Sequence, residues 1–184
     1  MSILNHHSIY KAFESMAQKH ANKPAVVFLG SKFTYATIRE LAERTAASFS
    51  AMGIGKGDRI VMYIPNSIQF IVTWLGIQRL GAIAVPITPI YTAFDLGYIV
   101  RDTEAAAVVC SDRNFGYVKQ VFSDSSLKQA VVSNVADLLP WWKRAFGYLA
   151  DKVPAGKVER SDTTTSLSTM VSARKTATTW PISS

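Results

Sequence analysis

Short apolar runs alternate with segments of helical length between residues 59 and 133, and this alternation constrains the fold most strongly. The runs at 59–64, 82–87, 105–110 and 129–133 have the length of strands, and residues typical of turns flank them. Strands separated by single helices imply βαβ units, which build a largely parallel sheet covered on both faces. The pattern therefore predicts a doubly wound α/β fold.

The helices of this unit are marked by capping residues as well as by periodicity. Ser67 is placed to cap a very apolar helix over 68–80, and Thr92 with Asp95 forms a capping pair for a helix to about residue 100. The segment 68–80 is shorter than the roughly 20 residues that span a bilayer. We therefore expect a buried helix there rather than a membrane span.

A helix, a hairpin and a second helix are predicted before this unit. Strands over 25–29 and 32–35 flank Gly30-Ser31, which we expect to form the two-residue hairpin turn. An amphipathic helix then starts at Tyr35 and ends before Gly53, since glycine commonly follows the last helical residue.

The character of the sequence changes after residue 134, and three regions are expected. Residues 1–134 are predicted to form the α/β subdomain, and residues 135–160 an aromatic and basic helical segment. Residues 161–184 are rich in Ser and Thr and lack apolar periodicity, so we expect a disordered tail. The abrupt change favours a disrupted reading frame over a natural linker.

Two glycine-containing segments are candidates for binding phosphate, but neither has the required context. Gly53, Gly55 and Gly57 follow a predicted helix and precede a strand, whereas a dinucleotide fingerprint follows a strand and opens a helix. Gly30-Ser31-Lys32 resembles the end of a nucleotide-binding loop, but Ala25 stands where its first glycine is required. Both segments are interpreted as turns.

No nucleophile and base can be paired. Ser67 fits a helix cap better than a nucleophile, and Cys110 ends an apolar run where a thiol is usually buried and inert. Asp102 and Glu104 fall on a predicted turn, where solvated carboxylates are common. No Cys/His cluster has metal-ligand spacing. We therefore assign no catalytic, cofactor-binding or metal-binding residue.

The charge and the aromatic residues limit the possible partners. The net charge is +7, but the basic residues are spread along the chain, which argues against a nucleic-acid partner. The segment 141–149 combines Trp and Tyr with Lys and Arg, which is typical of a water–lipid boundary, although a helix docked on the protein is favoured. The single cysteine and the absence of a secretory signal over 1–10 fit the cytoplasm.

Four segments stand in a telling order along the chain: Lys32-Phe33-Thr34-Tyr35, Gly53-Ile54-Gly55-Lys56-Gly57-Asp58, Pro65-Asn66-Ser67 and Leu80-Gly81-Ala82-Ile83-Ala84-Val85-Pro86. In this order and spacing they resemble the opening of the acyl-CoA synthetase, luciferase and peptide-synthetase adenylation superfamily, with most likeness to medium- or long-chain fatty acid CoA ligases. The resemblance covers residues 9–133 well and 140–159 more loosely.

This resemblance implies an N-terminal fragment of an enzyme that uses ATP, Mg²⁺ and CoA to convert a carboxylic acid into its CoA thioester through an acyl-adenylate. No segment matches the family's phosphate loop, of the type Tyr-Thr-Ser-Gly-Thr-Thr-Gly-x-Pro-Lys-Gly. We therefore expect the chain to be inactive alone, to need no cofactor, and to have a separately encoded remainder as its partner.

Two other functions remain open from the residues alone. One is a small flavodoxin-like binding module, which requires a ligand site at the carboxyl ends of the strands. The other is a membrane-surface interaction protein, peripheral to the bilayer, that uses the aromatic and basic residues over 141–149.

Overall fold

The computed structural model describes residues 9–134, 137–138 and 164–172. They form a hairpin and a parallel sheet with helices on both faces. In chain order the elements are α1 (Ile9–Lys19), β1 (Pro24–Phe28), β2 (Ser31–Thr34), α2 (Tyr35–Ala51), β3 (Arg59–Tyr63), α3 (Ile68–Leu80), β4 (Ile83–Pro86), α4 (Ala93–Thr103), β5 (Ala107–Ser111), a 3₁₀ turn (Asp112–Asn114), α5 (Phe115–Phe122), β6 (Gln129–Ser133), β7 (Thr164–Ser166) and α6 (Leu167–Ser172).

The sheet has five strands in the order β4-β3-β5-β6-β7, and all of its pairs are parallel. Alternate side chains of each strand face opposite layers, as the period of two requires. Ile60 and Met62 pack with α2, α3 and α6, whereas Val61 and Tyr63 pack with α4 and α5. The predicted doubly wound, largely parallel α/β fold is confirmed.

The hairpin turn lies one residue earlier than the sequence predicts. Phe28 pairs with Ser31, so the turn consists of Leu29 and Gly30, and both have positive φ angles of 47° and 68°. Two positive φ angles are typical of a type I′ turn, which matches the twist of paired strands. This register buries Phe33 beneath α2 and leaves Lys32 exposed. The burial of Phe33 outweighs the cost of a left-handed backbone conformation at Leu29.

The helix ends follow the capping predictions. Ser67 Oγ accepts an amide hydrogen bond of 3.2 Å in the first turn of α3. Asp95 Oδ2 accepts from the Thr92 amide at 2.9 Å and from its hydroxyl at 2.8 Å, which confirms the capping pair of α4. Helix α4 continues to Thr103, where Arg59 Nε donates to the Thr103 carbonyl at 2.6 Å. Within the described ranges no helix combines the length and hydropathy that crossing a bilayer requires.

The segment 164–172 corrects the expectation of a disordered tail from residue 161. Strand β7 pairs in parallel with β6, and Leu167 and Met170 are buried against the sheet. The composition did not predict this segment, because Thr, which supplies two of the three residues of β7, is favoured in strands although it is polar. Three apolar residues at helical spacing are enough to anchor the short α6.

Helix α2 holds the end of α6 through two side chains. Arg44 donates to the Val171 carbonyl at 2.7 Å, and Ser48 donates to the Met170 carbonyl at 3.1 Å. Carbonyls at the C-terminal end of a helix lack intrahelical partners, so these two side chains supply hydrogen-bond donors that the short helix does not provide. The rest of the expected tail and nearly all of 135–160, including 141–149, lie outside the described residues.

Candidate functional site

The direction of the chain reverses between β3 and β5. After β3 the chain passes through α3 to β4 on one side, and after β4 it passes through α4 to β5 on the other side. The loops at the carboxyl ends of β3 and β5 diverge, because they lead to α3 and α5, which cover opposite faces of the sheet. Open parallel sheets bind ligands in the crevice that forms at such a switch point.

A crevice of about 380 Å³ lies at this point. Four strand ends contribute to it, since it is lined by segments that follow β3, β4, β5 and β6. The lining combines branched apolar side chains with hydroxyl, amide and charged groups: Ile64, Pro65, Ser67, Gln69, Pro89, Ile90, Ser111, Asp112, Arg113, Asn114 and Ser133.

One wall of the crevice is a polar network between β5 and β6. Asn134 Nδ2 donates to Asp112 Oδ2 at 2.8 Å, and Gln69 Nε2 donates to the Asn134 carbonyl at 3.0 Å. Gln69 is almost fully buried, so the hydrogen bond from its side-chain amide to the Asn134 carbonyl fixes the first turn of α3 against the end of β6. The network holds the Asp112 carboxylate at the edge of the crevice.

The opposite wall is the loop between β4 and α4. Asn114 Nδ2 donates to the Pro89 carbonyl at 2.7 Å, and the Tyr63 hydroxyl donates to the Tyr91 carbonyl. Burial raises the pKa of Tyr63, so the hydroxyl stays protonated and remains a donor at neutral pH. Both bonds hold this loop beside the segment that follows β5.

The arrangement is suited to binding rather than to acid–base chemistry. Ser111 and Ser133 end adjacent strands, and exposed Arg113 supplies a cation next to them. Among the residues that the structure describes, no three His, Cys, Asp or Glu side chains lie close enough to hold a metal ion. A polar or anionic group can contact these side chains, while Ile64 and Ile90 offer apolar surface to the rest of a ligand.

The residues considered as nucleophiles have structural roles. Ser67 lines the crevice, but its oxygen accepts the capping bond of α3. Cys110 is buried inside β5, and burial raises the pKa of its thiol well above the usual range, which keeps the sulfur protonated. Asp102 is exposed near the far end of α4, and Glu104 forms an ion pair of 2.9 Å with Arg59. The structure does not bring these carboxylates to the crevice.

The glycines over 53–57 lie at the amino end of β3, opposite the crevice. The Gly55 amide donates to Asp58 Oδ2 at 2.8 Å, and the Gly57 amide donates to the Gly81 carbonyl at 3.0 Å. Gly57 also needs its positive φ of 85°. These groups are satisfied within the protein, as expected for turns.

Sequence reasoning missed the polar residues that build the crevice. Gln69, Asp112, Asn114 and Asn134 are not part of any catalytic or ligand-binding pattern in the sequence. A signal was present, because the polar run 111–114 directly follows a predicted core strand. The rule that ligands bind at the carboxyl ends of parallel strands would have selected it.

The sequence matches known proteins over most of its length. A model of the AMP-binding enzyme family matches residues 13–168. The long-chain-fatty-acid–CoA ligase of Salmonella typhimurium is 30% identical over 133 residues, which cover 72% of this chain and 24% of that protein. The ligase of the same name from Bacillus subtilis is 30% identical over 136 residues, covering 74% and 24%. The chain thus spans about a quarter of the length of these curated relatives.

The fold agrees with the sequence matches. The crystal structure of coronafacic acid ligase from Pectobacterium brasiliense superposes with a TM-score of 0.75 at 18% identity, over 94% of this chain and 31% of that one. The family match also extends through β7, which the structure adds to the same sheet. The resemblance found in the sequence is confirmed, and the chain belongs to the AMP-binding enzyme family.

Proposed function

We propose that this chain is part of an ATP-dependent ligase that joins a fatty acid to CoA. The observation that carries the proposal is the family match over 13–168, which includes each strand of the parallel sheet among the described residues. The names of the curated long-chain-fatty-acid ligases support a fatty acid as the acid. Membership of this family argues against a binding module unrelated to ligases.

The proposed reaction has two steps with balanced leaving groups. A carboxylate oxygen attacks the α-phosphorus of ATP and pyrophosphate leaves, which gives an acyl-adenylate. The CoA thiolate then attacks the acyl carbon, and AMP leaves as the thioester forms. Both steps need negative charge on phosphate to be stabilised, which Mg²⁺ and a phosphate-binding loop supply in enzymes of this kind.

The crevice is proposed to bind and orient one of the anionic substrates. Arg113 and the strand-end hydroxyls of Ser111 and Ser133 line it, and the network around Asp112 and Asn134 keeps its wall in one geometry. A substrate held in fixed orientation reacts faster because less translational and rotational entropy is lost in the transition state. The sequence contains no match to the phosphate loop, so we propose that these 184 residues alone do not form acyl-adenylate.

A chimera tests the proposal. Residues 13–168 replace the matching segment of the Bacillus subtilis ligase, and CoA thioester formation from hexadecanoate is measured. We expect thioester formation by the chimera, and no ATP–pyrophosphate exchange by the 184-residue chain alone. A well-folded chimera without activity would contradict the proposed function.

A matched pair of variants tests the crevice within the chimera. Arg113→Gln removes the cation beside the strand ends, and we expect kcat/KM to fall about tenfold, equivalent to about 1.4 kcal/mol. Lys128→Gln removes another exposed cation, next to the amino end of β6, and is expected to have no effect. Equal rates for the two variants would exclude Arg113 from substrate binding.

The partner of the chain is also a proposal. We infer that a separately encoded remainder of the ligase completes the enzyme. Translation of all three reading frames through and beyond codon 184 tests this inference, since a phosphate loop in another frame would instead mean that one enzyme has been interrupted.

A further inference from the structure

The hairpin of β1 and β2 exposes apolar side chains at its turn. The two strands form a sheet of their own, and one face of this sheet packs on the helices through Phe28 and Phe33. The other face carries Val27, which is 63% exposed, and Leu29 in the turn is 59% exposed. Two large apolar side chains therefore lie in water at the turn end of a hairpin whose opposite face anchors it to the protein.

The fold does not explain why a leucine occupies position 29. A type I′ turn needs positive φ angles at both central residues, and asparagine or glycine is favoured there because other side chains crowd the backbone in this conformation. Leu29 adopts a φ angle of 47° and gains little burial in return. A disfavoured backbone conformation at an exposed residue points to a role outside the fold.

The sequence around this turn is basic. Val27 pairs with Lys32 across the hairpin, and Lys32 is exposed between two buried neighbours, so it lies on the same outer face as Val27. Lys19 and Lys23 are exposed in the segment that leads into the hairpin. Residues 15–38 contain these three lysines and neither Asp nor Glu. An anionic partner would therefore be attracted to this end of the protein.

A second exposed apolar patch, at the start of α4, has the opposite charge. Ile90 and Phe94 are each 83% exposed, and Tyr98 is 63% exposed. Residues 90–104 contain three acidic residues and one arginine, so an anionic surface would repel this patch. Charge thus distinguishes the two patches, and the patch on α4 provides a control for the hairpin.

We propose that the hairpin turn is a lipid-binding site, which places Val27 and Leu29 in the head-group boundary of an anionic bilayer with Lys32 beside the lipid phosphates. Apolar side chains inserted at this boundary leave water, and adjacent lysines are attracted by the negative surface potential. Lysine suits this position because its alkyl part contacts apolar surface while its ammonium group stays hydrated. The site is distinct from the aromatic and basic segment 141–149, and it does not depend on the proposed ligase reaction.

Co-sedimentation of the 184-residue chain with vesicles tests the proposal. We expect binding to vesicles made of equal parts of phosphatidylcholine and phosphatidylglycerol, and binding at least about fivefold weaker to phosphatidylcholine alone. High salt should release the chain, because it screens the attraction. Lys32→Gln should weaken binding to the mixed vesicles about fivefold, the effect of one lysine near such a surface. Pelleting without vesicles is measured for each variant and subtracted.

Leu29→Asn separates a membrane role from a structural role. Asparagine is favoured in this turn, so the variant should have an unchanged or higher Tm. It removes the larger apolar side chain of the turn, so binding to the mixed vesicles should fall about tenfold. The matched control is Phe94→Gln, which removes an exposed apolar side chain from the acidic patch and should leave vesicle binding unchanged.

Three results would overturn the proposal. One is the absence of vesicle binding, and another is equal binding to the two kinds of vesicle. The third is equal binding by Leu29→Asn and wild type, which would place the contact elsewhere, for example in 141–149. If Leu29→Asn does not fold, Val27→Thr takes its place, because threonine keeps the branched shape favoured in a strand. No ligase activity is measured in these experiments, so this proposal and the proposed function fail separately.

Discussion

The close contact between α2 and α3 predicts that a side chain at Gly76 is poorly tolerated. A Cβ atom at Gly76 would lie 2.9 Å from Thr45 Cγ2 and 3.2 Å from the Ala42 carbonyl oxygen. Both distances are shorter than ordinary contacts between nonbonded atoms, for which carbon pairs prefer about 3.5 to 4.0 Å. The glycine thus sets how closely the two helices pack, and we expect Gly76→Ala to force them apart.

The magnitude follows from two opposing effects. Alanine in place of glycine stabilises a helix interior by about 1 kcal/mol, because it restricts the unfolded chain. Overpacking a close-packed interior costs about 1 to 3 kcal/mol, and the upper half applies here because one neighbour is backbone that cannot rotate away. We expect a net loss of about 1 to 2 kcal/mol in the free energy of unfolding for Gly76→Ala.

A double-mutant cycle separates the clash from other effects. Thr45→Ser removes Cγ2 but keeps the hydroxyl that donates to the Leu41 carbonyl at 2.9 Å. Alone it should cost about 1 kcal/mol, as expected for one buried methyl group. Combined with Gly76→Ala it should cost less than the sum of the two, with a coupling energy of about 1 kcal/mol.

Urea unfolding followed by circular dichroism measures each variant. The control is Gly116→Ala in α5, where a Cβ would meet no atom within 4 Å, and which should be as stable as wild type or slightly more stable. If Gly76→Ala also proved as stable as wild type, the close approach of α2 and α3 would be refuted.

Three further predictions concern α4 and α6. Hydrogen bonds from the Thr92 amide and hydroxyl lower the pKa of Asp95 in the folded protein. The stability that they contribute is therefore present above about pH 4 and is lost as the pH falls through this lowered pKa. Asp95→Asn should reduce the fall in Tm between pH 6 and pH 3. Leu167→Ala should lower the free energy of unfolding in urea by about 2 to 4 kcal/mol, since Leu167 is fully buried, whereas no loss would mean that α6 is not docked. Phe94 is 83% exposed, so Phe94→Gln should raise the concentration at which light scattering detects self-association without lowering Tm.

The elements were predictable where local chemistry determines their ends. Helix α3 has the bounds expected from Ser67 and Gly81, because a capping hydroxyl and a left-handed glycine act within a few residues. The position of the hairpin turn was not predictable from the local sequence, because the register of the hairpin depends on which face of β2 is buried against distant helices. The order of strands in the sheet is likewise a long-range property that periodicity does not contain.

The candidate site was not predictable as a set of residues. Asp112 and Asn134 meet across two adjacent strands, and Asn114 meets the Pro89 backbone from another loop. Each is an ordinary polar residue in its own segment, and only the parallel register brings the strand ends together. What the sequence could give was the location, since the fold class alone places binding sites at this edge.

The segment 164–172 shows why a stretch should be judged element by element rather than by overall composition. An edge strand needs hydrogen bonds to one neighbouring strand and only moderate burial. Thr164 and Ser166 meet both needs, because they are partly buried and pair with β6. The helix after it is too short to be stable alone, so its order comes from buried Leu167 and from the donors on α2. The low apolar periodicity over 161–184 therefore indicated that this segment has little local stability. For residues 164–172, tertiary contacts provide the stabilisation that the local sequence lacks.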